Sequence, residues 1–396
     1  ELTHTQAYFV AFAFYIAYFV MAIPASKLLN RFGFKKGMLM GLIMMSLGAL
    51  IFVPAAYTRT YGIFLFGLFC IGTGLAILQT AANPYVTIIG PIESAARRIS
   101  IVGLCNKFAG IISPLIFAAV ILNANDSEMF RQLKEGLITG ADKEIVLDEL
   151  IGRVMVPYAF LSFLLLAFGL FIRYSPLPDI NTKEQNRSCD PSHSDRSSIF
   201  KYPYLILGAF AIFFHVGAQV ISIDTIINYA GTMGIELTAA KVFPSYTMSC
   251  TLMGYFLGII LIPKVLSQKR ALQIATTLGL LLSLGVIYIS GNIELFSHKT
   301  DLSIWFLVMM GLPNALIYAG IWPLAIRNLG KFTNLGSSLL VMALCGNAFL
   351  PVIYGAAADS FGERLSYWVL VPCFIYLIFY AFKGHQIEHW SKSKAI

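Results

Sequence analysis

An all-α membrane protein built from two six-helix halves is the fold this sequence predicts, and three observations predict it. Of 396 residues, 58% are hydrophobic and only 12% charged, where soluble domains carry roughly 25% charged residues. Apolar windows of about 20 residues, enough for a helix to cross the hydrocarbon, recur along the whole chain. The third observation is an internal echo. "GTGLAILQTAANP" (Gly72 to Pro84) aligns with "GLPNALIYAGIWP" (Gly311 to Pro323), matching Gly72 to Gly311, Ala76 to Ala315 and Pro84 to Pro323 at an offset of 239.

Eleven spans follow, none broken by the alternation of a strand, so helices are the spanning element. The first two, 7–26 and 38–57, flank the basic loop "KLLNRFGFKKG" with Lys27, Arg31, Lys35 and Lys36. The third, 62–89, is apolar until Gln79, Asn83 and Pro84 interrupt it. Arg97 and Arg98 precede the fourth, 100–123, and an acidic stretch, 124–151, separates it from the fifth, 152–174. Residues 175–201 have the Pro, Ser, Asn and Asp content of a flexible linker. The second half holds spans 203–230, 243–263, 271–290, 302–326, 335–357 and 366–384. Its basic loops carry Lys264, Lys269, Arg270, Arg327 and Lys331, and the tail adds Lys383, Lys392 and Lys394. All the basic loops alternate onto one side, which is therefore the cytoplasmic one.

The repeat adds a consequence. Subtracting 239 from span 203–230 puts its first-half partner before residue 1. The expected organisation is thus an N-terminal half, 1–174, that lacks its first helix, a cytoplasmic linker, 175–201, and a C-terminal half, 202–396. A net charge of +8 belongs to the cytoplasmic loops and implies no nucleic-acid partner. Six cysteines show neither CxxC nor Cys/His metal spacing, and they read as small hydrophobes within helices. No HExxH, GxSxG or P-loop occurs, so neither an enzyme nor a cofactor or metal site is expected.

Two homologous halves with a basic loop after the second helix of each resemble the major facilitator superfamily, which binds substrate near the midplane between its halves. "SKLLNRFGFKK" is similar to that superfamily's signature loop, with Arg31, Gly33 and Lys35 in place but Ser26 and Asn30 standing for its usual Gly and Asp. "QTAANPYVTIIGP", "CNKFAG", "HVGAQVISIDTIINYA" and "GIWPLAIRNLGKFTNLGSSLLVMALCGNA" resemble the fucose:proton symporter family over nearly the whole chain. At the position of Gln79 the fucose-transporting branch usually has Glu, and Gln looks like the glucose/galactose and N-acetylglucosamine branches. The resemblance implies a monomer in the lipid bilayer of the bacterial inner membrane. It implies alternating-access uptake of a monosaccharide such as glucose, galactose or N-acetylglucosamine, coupled to a proton or sodium. A drug/proton antiporter of the same fold is the alternative, with a greasier pocket.

The residues carry a sugar reading of their own. Pyranose hydroxyls both donate and accept, and neutral amides answer both needs. Gln79 and Asn106 lie ~15 Å and ~10 Å from the cytoplasmic ends of antiparallel spans at ~1.5 Å per residue, and Asn83 sits one turn beyond Gln79. Gln219 and Asn228 on span 203–230 follow the same logic, as does Asn347 further on. Tyr318 stands at the repeat position of Gln79, with Trp322 and Asn314 one turn to either side, offering flat faces for sugar C–H groups. Any of these amides and aromatics could equally serve helix packing. Asp224, Lys107 and His215 are the charge or coupling candidates, because a carboxylate within a span costs roughly 2.5–3.5 kcal/mol on insertion scales. His215 also reads as a satisfied interhelical donor. Residue counting places Lys107 and Asp224 at depths too different for a pair.

Overall fold

The computed structural model describes residues 4–121, 141–178, 198–296 and 298–390. The heart of the predicted linker, 179–197, and most of the acidic stretch, 122–140, lie outside the described residues. Eight helical stretches among them are long and apolar enough to cross a membrane, and they account for every expected span except the fourth and seventh. Those two are the helices α3 and α8 below.

Helix α1, His4–Thr58, holds the first two spans and kinks at Gly33, whose φ of 78° and ψ of 174° lie where only glycine is at ease. The basic loop of the sequence is this kink. Gly33→Ala places a Cβ on a left-handed backbone, so the variant should lose ~1 kcal/mol or more of stability, read as a lower Tm of the purified protein. Helices α2 (Tyr61–Ile88), α3 (Ala95–Ile121) and α4 (Ala141–Tyr174) follow. Next come α5 (Pro203–Asp224), α6 (Ile226–Thr232), α7 (Leu237–Ala240), α8 (Phe243–Leu261) and α9 (Gln268–Tyr288). A hairpin of β1 (Asn292–Leu295) and β2 (His298–Asp301) leads into α10 (Leu302–Met309) and α11 (Gly311–Ile326). The chain closes with α12 (Thr333–Met342), α13 (Gly346–Phe361), α14 (Glu363–Ser366) and α15 (Leu370–Phe382).

Two compact units divide the chain, and the chain passes between them within α1, α2 and α3. One comprises Glu1–Met21, Phe34–Gln79 and Phe108–Asp179. The other comprises Ala22–Gly33, Thr80–Lys107 and Ile180–Ile396. In the first unit, α1 and α2 meet through small residues. A Cβ on Gly74 would lie 2.5 Å from the Gly41 carbonyl oxygen, an approach that in membranes replaces the hydrophobic drive between helices. Ser46 and Ser162 bridge α1 and α4, their buried hydroxyls 2.9 Å apart and each also donating to the other's carbonyl. Arg59 pairs with Asp148 near one end of that interface.

In the second unit α11 is the central helix, packed on α5, α8 and α9, with every residue from Ala319 to Ile326 buried. Gly254 and Gly311 make the α8–α11 crossing close, since a Cβ on Gly311 would lie 2.1 Å from the Thr247 carbonyl. Thr247, Ser249 and Thr251 return their hydroxyls to carbonyls one turn back, which keeps a polar helix compatible with the membrane. The hairpin pairs Asn292 with Asp301, and Asp301 accepts from the amides of Ser303 (2.8 Å) and Gly291 (3.1 Å), capping α10.

Partial burial pushes the Asp301 carboxyl up, but these hydrogen bonds outweigh it and hold the group below the usual carboxylate range. A depressed acid stabilises the fold above its unfolded pKa of about 3.9 and loses that contribution as pH falls through the lower folded value. Asp301→Ala should therefore cost ~1 kcal/mol at neutral pH. The gap in Tm between variant and wild type should close on acidification.

Candidate functional site

The second unit brings the repeat helices together around one side chain. Asn83 on α2 donates from Nδ2 to the Tyr318 hydroxyl on α11 at 3.2 Å. The Tyr318 ring neighbours His215 of α5 (centroids 6.3 Å, 38° between planes) and Trp322 (5.8 Å, 37°). One turn back on α11, Asn314 donates to the Ser222 hydroxyl at 3.2 Å, and Ser222 donates in turn to the Gln219 carbonyl at 2.8 Å. Tyr318 and Asn83 are partly exposed, whereas His215, Asn314 and Trp322 are fully buried.

Local sequence explains why these elements meet. Arg98 of α3 donates to the carbonyls of Val86 (2.7 Å), Thr87 (2.6 Å) and Gly90 (3.2 Å), satisfying the C-terminal end of α2 and fixing α3 beside it. Gly103 lets α3 lie against α8, since a Cβ there would stand 2.4 Å from the Tyr255 ring. Asn30, the residue replacing the signature aspartate, accepts from Asn334 Nδ2 at 2.7 Å and joins the end of α1's first segment to α12.

Among the described residues, several buried polar atoms have no hydrogen-bond partner: both ring nitrogens of His215, Asn314 Oδ1, Trp322 Nε1 and, on α13, Asn347 Oδ1. Leaving one such group unsatisfied costs about 1–3 kcal/mol, so a cluster of them is a reservoir of unmet hydrogen bonding. The reading of His215 as a satisfied interhelical donor does not hold, because neither nitrogen has a partner among the described residues. These atoms are closed off, and beside them Tyr318 and Asn83 keep partial exposure.

Lys107 on α3 and Asp224 at the end of α5 both belong to this unit, and among the described residues no ion pair within 4 Å joins them. Asp224 and Asn106 are exposed, and Lys107 and Gln219 partly so. Asn228, on the short α6 beyond the break at Thr225, is exposed as well. Asn347 opens α13 and is partly exposed.

Gln79 belongs to the other unit. There its Nε2 donates to the Tyr18 hydroxyl of α1 at 3.3 Å, and the Gln79 side chain is partly buried. Tyr18 sits in a cluster with Phe14 (5.9 Å) and Tyr15 (6.4 Å). Tyr18, Ser222 and Tyr255 were not singled out from sequence. The spacing of Ser222 from Gln219, one turn along the same helix face, was the signal available for one of them. Among the described residues no group of three or more His, Cys, Asp or Glu is placed to hold a metal ion.

The family model of the Major Facilitator Superfamily matches residues 1–345. A glucose/galactose transporter of Brucella abortus is 30% identical over 98% of this chain and 87% of its own length. An L-fucose-proton symporter of Escherichia coli is 29% identical over 96% of this chain and 85% of its own. Among solved structures, a major facilitator transporter, FucP, in the outward conformation superposes with a TM-score of 0.81. It shares 27% identity and covers 96% of this chain and 90% of that one.

Proposed function

This chain belongs to the major facilitator superfamily, within it to the fucose:proton symporter family, and from that premise we propose that it takes up a hexose or close relative by alternating access. The transport is driven by a cation gradient across the bacterial inner membrane. The halves 1–174 and 202–396, joined by a cytoplasmic linker at 175–201, rock about a site that the substrate reaches from each side in turn.

One observation carries the substrate class. Tyr318 and Asn83 are hydrogen-bonded, partly exposed polar groups beside His215 and Trp322. A greasy drug would leave these polar groups unpaired, at a cost of about 1–3 kcal/mol each. A pyranose supplies several hydroxyls that both donate and accept. The relatives point the same way, being a glucose/galactose transporter and an L-fucose-proton symporter. The neutral Gln79 favours glucose, galactose or N-acetylglucosamine over fucose, with Asn106 and Gln219 as further amide partners. We take Asp224 as the coupling acid because it is a carboxylate at the end of the spanning helix α5, where a charge is costly.

Reconstituted protein tests this directly. Vesicles preloaded with glucose or galactose should show counterflow of the labelled sugar, and a protonophore or sodium removal should identify the driving ion. Extrusion of a lipophilic dye with no sugar counterflow would replace the proposal with a drug antiporter.

A further inference from the structure

Resting on the sugar reading, we propose that Asn83 is a positioning residue, which does not bind the sugar itself but fixes the Tyr318 hydroxyl as a donor toward it. A phenol carries one hydrogen and accepts through its oxygen lone pairs. Asn83 Nδ2 already occupies the accepting side at 3.2 Å, so the O–H bond points elsewhere. The rings of His215 and Trp322 pack near the Tyr318 ring, at centroid distances of 6.3 and 5.8 Å, and limit how far it can swing. Tyr318 stays partly exposed while its neighbours His215, Trp322 and Asn314 are closed off. Tyr318 is therefore the partly exposed member of this buried polar cluster.

Asn83 is itself fixed. Thr87, one turn on, donates to its carbonyl at 2.9 Å, and Arg98 clamps the following carbonyls of α2. The consequence is chemical: one position on the sugar must present an acceptor to Tyr318, whether or not it also has a proton to give. The contact lies between residues 235 apart in sequence, one on each repeat of the "Gln79" helix, so the first repeat sets the polarity of a sugar contact made by the second.

Binding of hexose analogues to the purified full chain tests the idea. Monodeoxy sugars lack both donor and acceptor at one carbon, and monodeoxyfluoro sugars keep a weak acceptor only. One carbon should exist at which the deoxy analogue binds about tenfold more weakly than glucose while the fluoro analogue loses less than half of that factor. Tyr318→Phe should erase this difference between the two analogues, and Asn83→Leu, which frees the hydroxyl to rotate, should narrow it. The double variant Asn83→Leu/Tyr318→Phe should bind no more weakly than Tyr318→Phe alone, since a positioning residue acts only through its target.

A fluoro analogue as poor as the deoxy one at every carbon overturns the proposal. So does an Asn83→Leu effect that persists undiminished in the Tyr318→Phe background, which makes Asn83 a direct ligand or a packing group. Should Asn83→Leu fail to fold, the Tyr318→Phe analogue pattern still decides. Wild-type protein that binds no hexose at all removes the sugar reading itself, a result distinct from either.

Discussion

Asp224→Asn should abolish gradient-driven accumulation of sugar while leaving sugar binding and counterflow near wild-type levels. With one cation moved per sugar, a potential of 100 mV supplies about 2.3 kcal/mol, or roughly fifty-fold accumulation at 1.4 kcal/mol per decade. An uncoupled carrier only equilibrates, so the expected ratio in the variant is about one. Asparagine keeps the shape of the side chain and removes its charge. Asp224 is exposed at the end of α5, and Asp224→Glu, which keeps the charge, should restore part of the accumulation. Gln79 holds no proton, so the carboxylate that the fucose branch usually carries there is not available to do this work. An Asp224→Asn protein that still concentrates sugar in energised vesicles places coupling elsewhere.

What the sequence disclosed, and what it withheld, follows from the physics of each signal. Apolar windows located the helices because a spanning segment must be apolar over its whole length. Even the polar helix Phe243–Leu261 was found, its hydroxyls satisfied within the helix. The repeat singled out Tyr318 as the partner position of Gln79, and Tyr318 proves to be the centre of the polar cluster. Rotation about the helix axis was not legible. Trp322, one turn from Tyr318, is fully buried, because the packing of α5, α8 and α9 around α11 decides which side faces inward.

Pairings were less legible still. Asn83 meets Tyr318 across 235 residues and Asn30 meets Asn334 across 304, and no local pattern encodes such a contact. A residue count measures distance along one axis and says nothing of tilt or of how two helices face each other.

Gln79→Ala and Asn106→Ala should each weaken sugar binding between several-fold and a hundredfold, the range that loss of one buried hydrogen bond of about 1–3 kcal/mol implies. The two substitutions differ in what else they disturb. Asn106 is exposed, so its removal should leave Tm unchanged, and any loss of affinity is then a loss of contact with the ligand. Gln79 also donates to the Tyr18 hydroxyl at 3.3 Å, so its removal costs a helix–helix bond, about 0.6 kcal/mol in membranes, besides any sugar contact. Tyr18→Phe separates the two roles. It breaks the same interhelical bond while keeping the amide. If Gln79 serves the sugar, Tyr18→Phe lowers Tm as Gln79→Ala does but keeps most of the sugar affinity, because the freed amide still faces its ligand. If Gln79 only ties α2 to α1, the two variants match in affinity as well as in stability, and the sugar contact passes to Asn106 alone.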